Sequence, residues 1–161
     1  MKLRKLEIED ASFMLEWMHD KFVVSDMQAN FAEKTIADCE AFIRASWSDT
    51  SNLHLAITDD EDTYMGTVSL KHITNSSAEF AITIRKSAMG QGLSKLAMAE
   101  MLRIGLEDMN LEQIYWCVSP KNKRALRFYD KNSYHRVGFD KLGNLEGYVH
   151  PEYYIWYQQS R

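Results

Sequence analysis

The amino-acid sequence predicts a mixed α/β fold, with a mostly antiparallel central sheet and helices on both of its faces. Some segments repeat apolar residues every three or four positions and others alternate apolar with polar residues, so both helices and strands are present. Three strands follow one another before a strand–helix–strand crossover, an order that favours a mixed sheet with mostly antiparallel neighbours. With 161 residues, two prolines and no repeat or linker, we expect a single domain over residues 1–161.

The first third of the chain is predicted to hold a strand and two helices. Residues 2–8 alternate weakly and indicate a strand. Apolar residues at a spacing of three and four predict a helix over Glu9–Met18 and a second over Lys34–Trp47, and the intervening segment stays ambiguous. The buried stripe of the second helix is predicted to be Ile36, Cys39, Ile43 and Trp47.

The middle of the chain is predicted to form three consecutive strands. Leu53–Ile57 and Tyr64–His72 flank an acidic turn and form a hairpin, and Ser76-Ser77 leads into a third strand over Ala78–Ile84. Strand alternation places Glu79 on the face opposite Phe80 and Ile82.

The second half begins with a glycine-containing loop over residues 85–92. It leads into a predicted helix over Leu93–Met109, a strand over Gln113–Val118 and a helix over Lys121–Asn132 that starts after Pro120. Two final strands are predicted over Tyr134–Val137 and Tyr148–Tyr157. The buried stripe of the first of these helices is predicted to be Leu93, Leu96, Ala97, Met101 and Ile104.

Composition and charge exclude several classes of function. A net charge of −4 and a pI of about 5.7 argue against a nucleic-acid-binding protein, which needs a basic face. No run reaches the ~20 apolar residues of a membrane span, and the first residues lack a secretion signal, so a cytoplasmic location is expected. Cys39, Cys117 and the histidines lack metal-ligand spacing, so no metal site and two buried thiols are expected.

The loop Gly90-Gln91-Gly92 before a helix is suited to binding a diphosphate. The first N–H groups of a helix have no internal partners, and the helix dipole adds positive charge there. The loop matches neither a P-loop nor a dinucleotide fingerprint, whose third glycine is replaced by Lys95. Cations flank it and open the following helix, namely Arg85, Lys86, Lys95, Lys121, Lys123 and Arg124. A flexible turn beside two solvated helix starts is the alternative interpretation.

The helix after Pro120 carries a tyrosine of interest. Asn122 and Tyr129 are seven positions apart and share one helix face. A phenol at this place can be a buried core residue or a proton donor, and the spacing leaves both interpretations open.

These features together resemble the GNAT superfamily of acyl-CoA N-acyltransferases. Gly66-Thr67-Val68, Glu79, Gly90-Gln91-Gly92, Asn122 and Tyr129 occur in the order and spacing of that family. The resemblance covers about Leu3–Phe139 and is most specific over Met65–Tyr134. It implies the GNAT fold, acetyl-CoA as the acyl donor, and an enzyme that acetylates a primary amine. It also allows a homodimer, since members of the family often form dimers.

The resemblance also assigns the residues that bind the coenzyme. The loop pattern of the family, Arg/Gln-x-x-Gly-x-Gly/Ala, corresponds here to residues 89–94; Gly92 matches, Met89 replaces the side-chain donor and Ser94 the small last residue. Asn122 is expected to contact the pantetheine arm or the start of its helix, and strand 82–84 to pair with the pantetheine amides. The implied coenzyme-binding set is Ile82, Thr83, Ile84, Met89, Gly90, Gln91, Gly92, Leu93, Ser94, Lys95, Asn122 and Arg124.

The expected catalytic residues are Glu79 and Tyr129. An alkylammonium has a pKa near ~10.4, so the acceptor must lose a proton, which Glu79 would take directly or through water. Tyr129 would protonate the leaving thiolate, and an N–H group around residues 82–84 would polarise the carbonyl. No Cys or Ser stands beside a His, so direct attack in a ternary complex is expected. A surface or salt-bridged carboxylate is the alternative interpretation of Glu79.

The acceptor is expected to be a small-molecule amine: an amino sugar, free or nucleotide-linked, a polyamine or an amino acid. Its pocket is expected to involve residues 21–32 with Tyr148, His150, Tyr153 and Tyr154, unless these aromatic residues only pack the last strand. A ribosomal-protein-like N-terminal acetyltransferase and a catalytically silent acyl-CoA-binding module are the alternatives, and the changed Met89 leaves room for the second.

Overall fold

The computed structural model describes residues 1–27, 29–143 and 145–161. Its strands form one seven-stranded sheet in the order β1-β2-β3-β4-β5-β7-β6. Every neighbouring pair is antiparallel except β4 and β5, which are parallel. The predicted mixed, mostly antiparallel sheet is therefore confirmed. The strands are Lys2–Lys5 (β1), Leu53–Thr58 (β2), Tyr64–Lys71 (β3), Ser77–Ile84 (β4), Gln113–Val118 (β5), His135–Val137 (β6) and Ile155–Ser160 (β7).

The α-helices cover both faces of the sheet. Thr35 begins α3 with a capping box, because its hydroxyl accepts from the Asp38 N–H at 3.2 Å while Asp38 accepts from the Thr35 N–H at 2.9 Å. None of the described helices has the length and apolar content that a membrane span requires. The helices are Ala11–Met18 (α1), Lys21–Val24 (α2), Ile36–Ser46 (α3), Leu93–Arg103 (α4) and Lys123–Lys131 (α5).

The structure differs most from the sequence-based prediction in three segments, and the other elements agree to within about three residues at each end. The helix predicted over 93–109 is α-helical to Arg103 and continues as a wider π turn over Ile104–Asp108. The ambiguous segment after α1 contains the short α2. The last strand begins at Ile155 rather than Tyr148, because Pro151 has no N–H to donate and opens a 3₁₀ turn over Pro151–Tyr153.

The core is divided by the sheet into a layer on one face and two clusters on the other. On one face α4 and α5 pack against the sheet, with Ala97, Met98 and Met101 fully buried. Leu96, predicted to be buried, is 54% exposed because it lies off the line through these three residues. On the other face α1 and α3 cover the β1–β3 end, and Leu142, Leu145 and Tyr148 cover β5 and β7.

In α3 the predicted stripe is buried only at its centre. Cys39 and Ile43 are buried, whereas Ile36 and Trp47 are 40% and 49% exposed at the two ends of the helix. Trp47 nevertheless donates from its indole N–H to the Leu6 carbonyl at 2.7 Å, which ties the end of α3 to the chain after β1.

Candidate active site

A V-shaped gap separates the second halves of β4 and β5. Their pairing covers only Ser77 with Gln113, Ala78 with Ile114 and Glu79 with Tyr115. Beyond these positions, within the described residues, β4 continues alongside β3 and β5 alongside β7. The two strands therefore diverge towards their carboxyl ends, leaving an unpaired edge on each side of the gap.

The edge of β4 that faces the gap carries the backbone groups of Ile82 and Ile84. Arg85 donates its N–H to the Met65 carbonyl at 2.9 Å, and Thr83 stands opposite Thr67 in the same register. Since hydrogen-bonded and non-bonded pairs alternate along an antiparallel ladder, Thr83 bonds towards β3. Ile82 and Ile84 consequently direct their N–H and C=O groups into the gap.

The loop before α4 presents free N–H groups on the same side of the sheet. Gly90 and Gly92 have φ angles of 80° and 76°, and Gly92 is the N-cap of α4. No N–H group of residues 90–95 donates a hydrogen bond to another described residue. A Cβ added at either glycine would meet no atom within 4 Å, so the space in front of the loop is open. Such a cradle of free N–H groups at a helix N-terminus favours an anion.

The start of α5 lies beside this loop. Asn122 caps α5 by accepting from the Ala125 N–H at 3.1 Å, and Arg124 places its Nη1 3.1 Å from the Met89 sulfur. The two helix N-termini thus bring one guanidinium to the loop, next to the position where the family pattern has Arg or Gln.

The cations that precede the loop in sequence are engaged elsewhere. Arg85 pairs with Glu16 at 2.8 Å and lies 4.4 Å from the centre of the Phe13 ring. Lys86 lies 5.0 Å from the centre of the Phe22 ring. Both side chains therefore contact α1 and α2, contrary to the clustering that the sequence indicated.

Tyr129 of α5 is a buried phenol near the end of β5. Its ring packs 5.6 Å from Trp116 and 5.0 Å from Tyr157, centre to centre. Burial, followed by the neighbouring Tyr157, raises the pKa of Tyr129 well above its usual range. Its hydroxyl forms no hydrogen bond with another described residue, so the phenol keeps a proton that it can donate.

Glu79 occupies the apex of the gap, on the last paired position of β4. It is only 3% exposed, and the Tyr148 hydroxyl donates a hydrogen bond to its Oε1. His72 places Nε2 3.6 Å from Oε2. Glu79 also lines a cavity of about 300 Å³ together with His72, Glu146, Gly147 and Tyr148. A solvated surface carboxylate, one of the interpretations of the sequence, does not describe this residue.

Cys117 extends this polar cluster across β5. Its thiol donates to the Tyr148 hydroxyl at 3.4 Å. Burial raises the pKa of Cys117 to about 11, so the thiol remains protonated near neutral pH. The residue is therefore a hydrogen-bond donor to Tyr148 rather than a nucleophile.

The residues predicted for the acceptor pocket overlap only partly with the lining of this cavity. Tyr148 lines it, whereas His150, Tyr153 and Tyr154 do not. Of the predicted segment 21–32, Gln28 lies outside the described residues, and none of the others lines this cavity. His72 and Glu146 were not predicted as site residues, because a histidine just after β3 and a glutamate beside a glycine carry no distinguishing local pattern.

Comparison with known proteins agrees with this geometry. The family model described as an acetyltransferase (GNAT) domain matches residues 1–135. The uncharacterised N-acetyltransferase p20 of Bacillus licheniformis is 25% identical over 143 residues, covering 86% of this chain and 80% of that protein. Acetyltransferase PseH of Campylobacter jejuni is 20% identical over 137 residues, covering 85% of this chain and 84% of that protein.

A solved structure shares the fold over nearly the whole chain. The spermidine N-acetyltransferase of Vibrio cholerae, in complex with CoA and spermine, aligns with a TM-score of 0.78 at 21% identity. The alignment covers 98% of this chain and 92% of that chain. At this level of identity the likeness concerns the fold.

Proposed function

We propose that this chain, which belongs to the GNAT family of acetyltransferases, transfers the acetyl group of acetyl-CoA to a cationic small-molecule amine. The observation that carries the proposal is the position of Glu79. A buried carboxylate, Glu79, stands at the apex of the gap between β4 and β5, and the same residue lines a cavity large enough for an acceptor. The two substrates would then meet at Glu79.

The residues on the coenzyme side fit acetyl-CoA. The free N–H groups of residues 90–95 would hold the diphosphate, with the Arg124 guanidinium adding charge beside Met89. The backbone groups of Ile82 and Ile84 would pair with the pantetheine amides along the open edge of β4. When bound there, the coenzyme supplies an activated acetyl group as a thioester.

Glu79 would act as the general base. An acceptor amine reaches the reaction as an ammonium ion, since its pKa of about 10.4 keeps it protonated near pH 7. Glu79 would accept that proton on Oε2, the oxygen that Tyr148 leaves free, directly or through one water. The neutral nitrogen can then attack the acetyl carbonyl carbon.

Backbone and phenol donors would stabilise the charge that develops. An N–H group at Ile82 or Ile84 would donate to the carbonyl oxygen. Tyr129 would donate its proton towards the departing sulfur, and its raised pKa means that it arrives protonated at neutral pH. In the balanced reaction the C–S bond breaks and a C–N bond forms, and the thiolate takes the Tyr129 proton and ends as a thiol. The proton that the attacking nitrogen still loses on becoming an amide would return to Tyr129 through water, and the proton on Glu79 would leave to solvent.

The charge of the cavity favours a cationic acceptor. Two carboxylates, Glu79 and Glu146, line it, and no Lys or Arg is among the described residues that do so. A second ammonium group on the acceptor would be attracted to the exposed Glu146, whereas the diphosphate of a nucleotide-linked sugar would be repelled. The spermine in the Vibrio cholerae structure supports the same class, a polyamine.

The test is a panel of acceptors assayed for thiol release from acetyl-CoA. Spermidine, glucosamine, a nucleotide-linked amino sugar, glycine and an N-terminal peptide represent the competing classes. We expect kcat/KM for spermidine to exceed that for the nucleotide-linked sugar by about 10-fold or more. A preference for the anionic acceptor or the peptide would contradict the cationic assignment.

A matched variant tests whether the acceptor is recognised by the charge of Glu146 rather than by its size. Glu146→Gln keeps the size of the side chain and is expected to raise the KM for spermidine about 3- to 10-fold, as for one partly solvated ion pair. The KM for a monoamine such as butylamine should change much less. Coenzyme binding without turnover on any amine would instead identify a silent acyl-CoA-binding module.

A further inference from the structure

We propose that Tyr148 is a positioning residue for acetyl transfer, holding the Glu79 carboxylate through Oε1 so that Oε2 alone faces the acceptor. This inference rests on the proposed function, because it assigns a role relative to the base of that reaction. Tyr148 lies 69 residues from Glu79 in sequence, in the segment that precedes β7. Both residues line the same cavity, where the Tyr148 hydroxyl donates to Glu79.

The Tyr148 hydroxyl both donates and accepts a hydrogen bond. A phenol has one proton, and that of Tyr148 is donated to Glu79 Oε1. The phenol oxygen accepts from the Cys117 thiol at 3.4 Å. Because the Cys117 thiol donates to the phenol oxygen, the phenol proton is directed to the stronger acceptor, the Glu79 carboxylate. The result is an ordered chain of donors that ends on the carboxylate.

The ring of Tyr148 is held in place by aromatic packing. Trp156 meets it edge to face at 5.0 Å and Tyr154 at 5.6 Å, centre to centre. Trp156 is itself fixed, since its indole N–H donates to the Pro151 carbonyl at 2.8 Å. A rigid phenol of this kind restricts rotation of the carboxylate it binds, and catalytic geometry depends on such restriction.

The surroundings keep Tyr148 a neutral donor. Burial, followed by the nearby Cys117 and Glu79, raises the pKa of Tyr148 far above its usual range. A phenolate would repel the carboxylate, so the neutral form is required for the hydrogen bond. The titratable or charged groups around Glu79 are Lys71 across the β3 pairing, His72, Tyr115 across the β5 pairing, Cys117, Glu146 and Tyr148.

The decisive variant is Tyr148→Phe, which keeps the ring packing and removes only the hydroxyl. With acetyl-CoA and spermidine, or with the best acceptor of the panel, we expect kcat to fall about 10-fold, as for one hydrogen bond to a charged group. The KM for acetyl-CoA should stay within a factor of two. The acidic limb of the kcat/KM profile should move to higher pH, because a donor to the ionised carboxylate has been lost.

Tyr157→Phe is the matched control. Tyr157 is also a buried phenol that donates to a carboxylate, Asp130 Oδ1 at 2.9 Å, but Asp130 is not at the cavity. Both variants should lower Tm by similar amounts, and only Tyr148→Phe should shift the acidic limb of the pH profile, since Tyr157 contacts Tyr129 and can affect only the basic limb. An acidic limb that shifts equally in both variants, or in neither, would overturn the positioning role.

A double variant tests whether Tyr148 acts through Glu79. In a Glu79→Gln background, Tyr148→Phe should change kcat less than twofold, because the base that it positions is already absent. An undiminished 10-fold effect would place Tyr148 in some other role and overturn the inference. Failure of the proposed function looks different, since the unmodified protein would then acetylate no amine or would prefer the anionic acceptor or the peptide.

Discussion

Replacing Gly92 with alanine tests the anion cradle most directly. Gly92 has a φ of 76°, and a Cβ there would meet no heavy atom within 4 Å. Alanine therefore fits the space, and its cost comes only from the left-handed backbone, about 1–2 kcal/mol. Any effect of Gly92→Ala therefore reports the positive φ of the backbone and not a steric clash of the added methyl group.

The cost of the left-handed alanine, about 1–2 kcal/mol, lowers either the stability of the fold or the affinity for the coenzyme. If the loop keeps its shape, the folded state bears the cost, and for a chain of this size each 1 kcal/mol lowers Tm by roughly 2–4 °C. If the loop relaxes to a negative φ, the N–H groups turn away and must be reoriented by the coenzyme. The same 1–2 kcal/mol then weakens binding about 5- to 30-fold.

Thermal unfolding and calorimetric titration with CoA would measure both quantities. Gly143→Ala is the matched control, since its Cβ also meets nothing within 4 Å but its φ does not lie in the positive region. We expect the losses in Tm and in affinity for Gly92→Ala to account together for about 1–2 kcal/mol relative to this control. If both variants behave alike in both assays, the left-handed N-cap has no role in forming the cradle.

Three further predictions concern the remaining parts of the site. Tyr129→Phe should lower kcat by about 10- to 100-fold while the Kd for CoA stays within twofold, and an unchanged kcat in steady-state assays would remove Tyr129 from the mechanism. Arg124→Ala should weaken CoA binding about 5- to 10-fold in a calorimetric titration, and adding Met89→Arg should restore most of the lost affinity. If the second change restores no affinity, the two positions do not place a guanidinium at the same site. Burial raises the pKa values of Tyr64 and Tyr129, so their contribution to stability is complete below pH ~10 and is lost as pH rises further, by about 1.4 kcal/mol per pH unit for each group. A Tm series from pH 8 to 11 should show this decline and a shallower one in Tyr129→Phe; equal slopes would contradict the assignment.

Local patterns in the sequence predicted most of the elements. The run Gln113–Val118, bounded by polar residues and Pro120, is β5 with the predicted limits. The helix after it is capped by Asn122, because an amide side chain can accept from the third residue of the helix. The last strand was predicted too early because its aromatic residues imitate a strand pattern, whereas Pro151 and the packing of Tyr148 on Trp156 keep that segment out of the ladder.

Parts of the candidate site were equally predictable from short stretches of chain. Alternation along β4 placed Glu79 opposite Phe80, and the structure has Phe80 in the α4 layer. The Gly90-Gln91-Gly92 loop before a helix was predicted to present free N–H groups, and no N–H group of residues 90–95 donates a hydrogen bond to another described residue. The resemblance to the GNAT superfamily, stated from these residues, is confirmed by the family match over residues 1–135.

The sequence alone determined which segments are helices and strands, where a glycine loop precedes a helix, and which family the chain belongs to. Each of these depends on residues that lie close together in the chain. Only the tertiary structure decided that β4 and β5 part after Glu79 and that Tyr148, His72 and Glu146 surround that carboxylate. These features depend on residues that are tens of positions apart in the chain. They follow from how α4 and α5 pack on one face of the sheet and the segment before β7 on the other. No local sequence pattern encodes that packing.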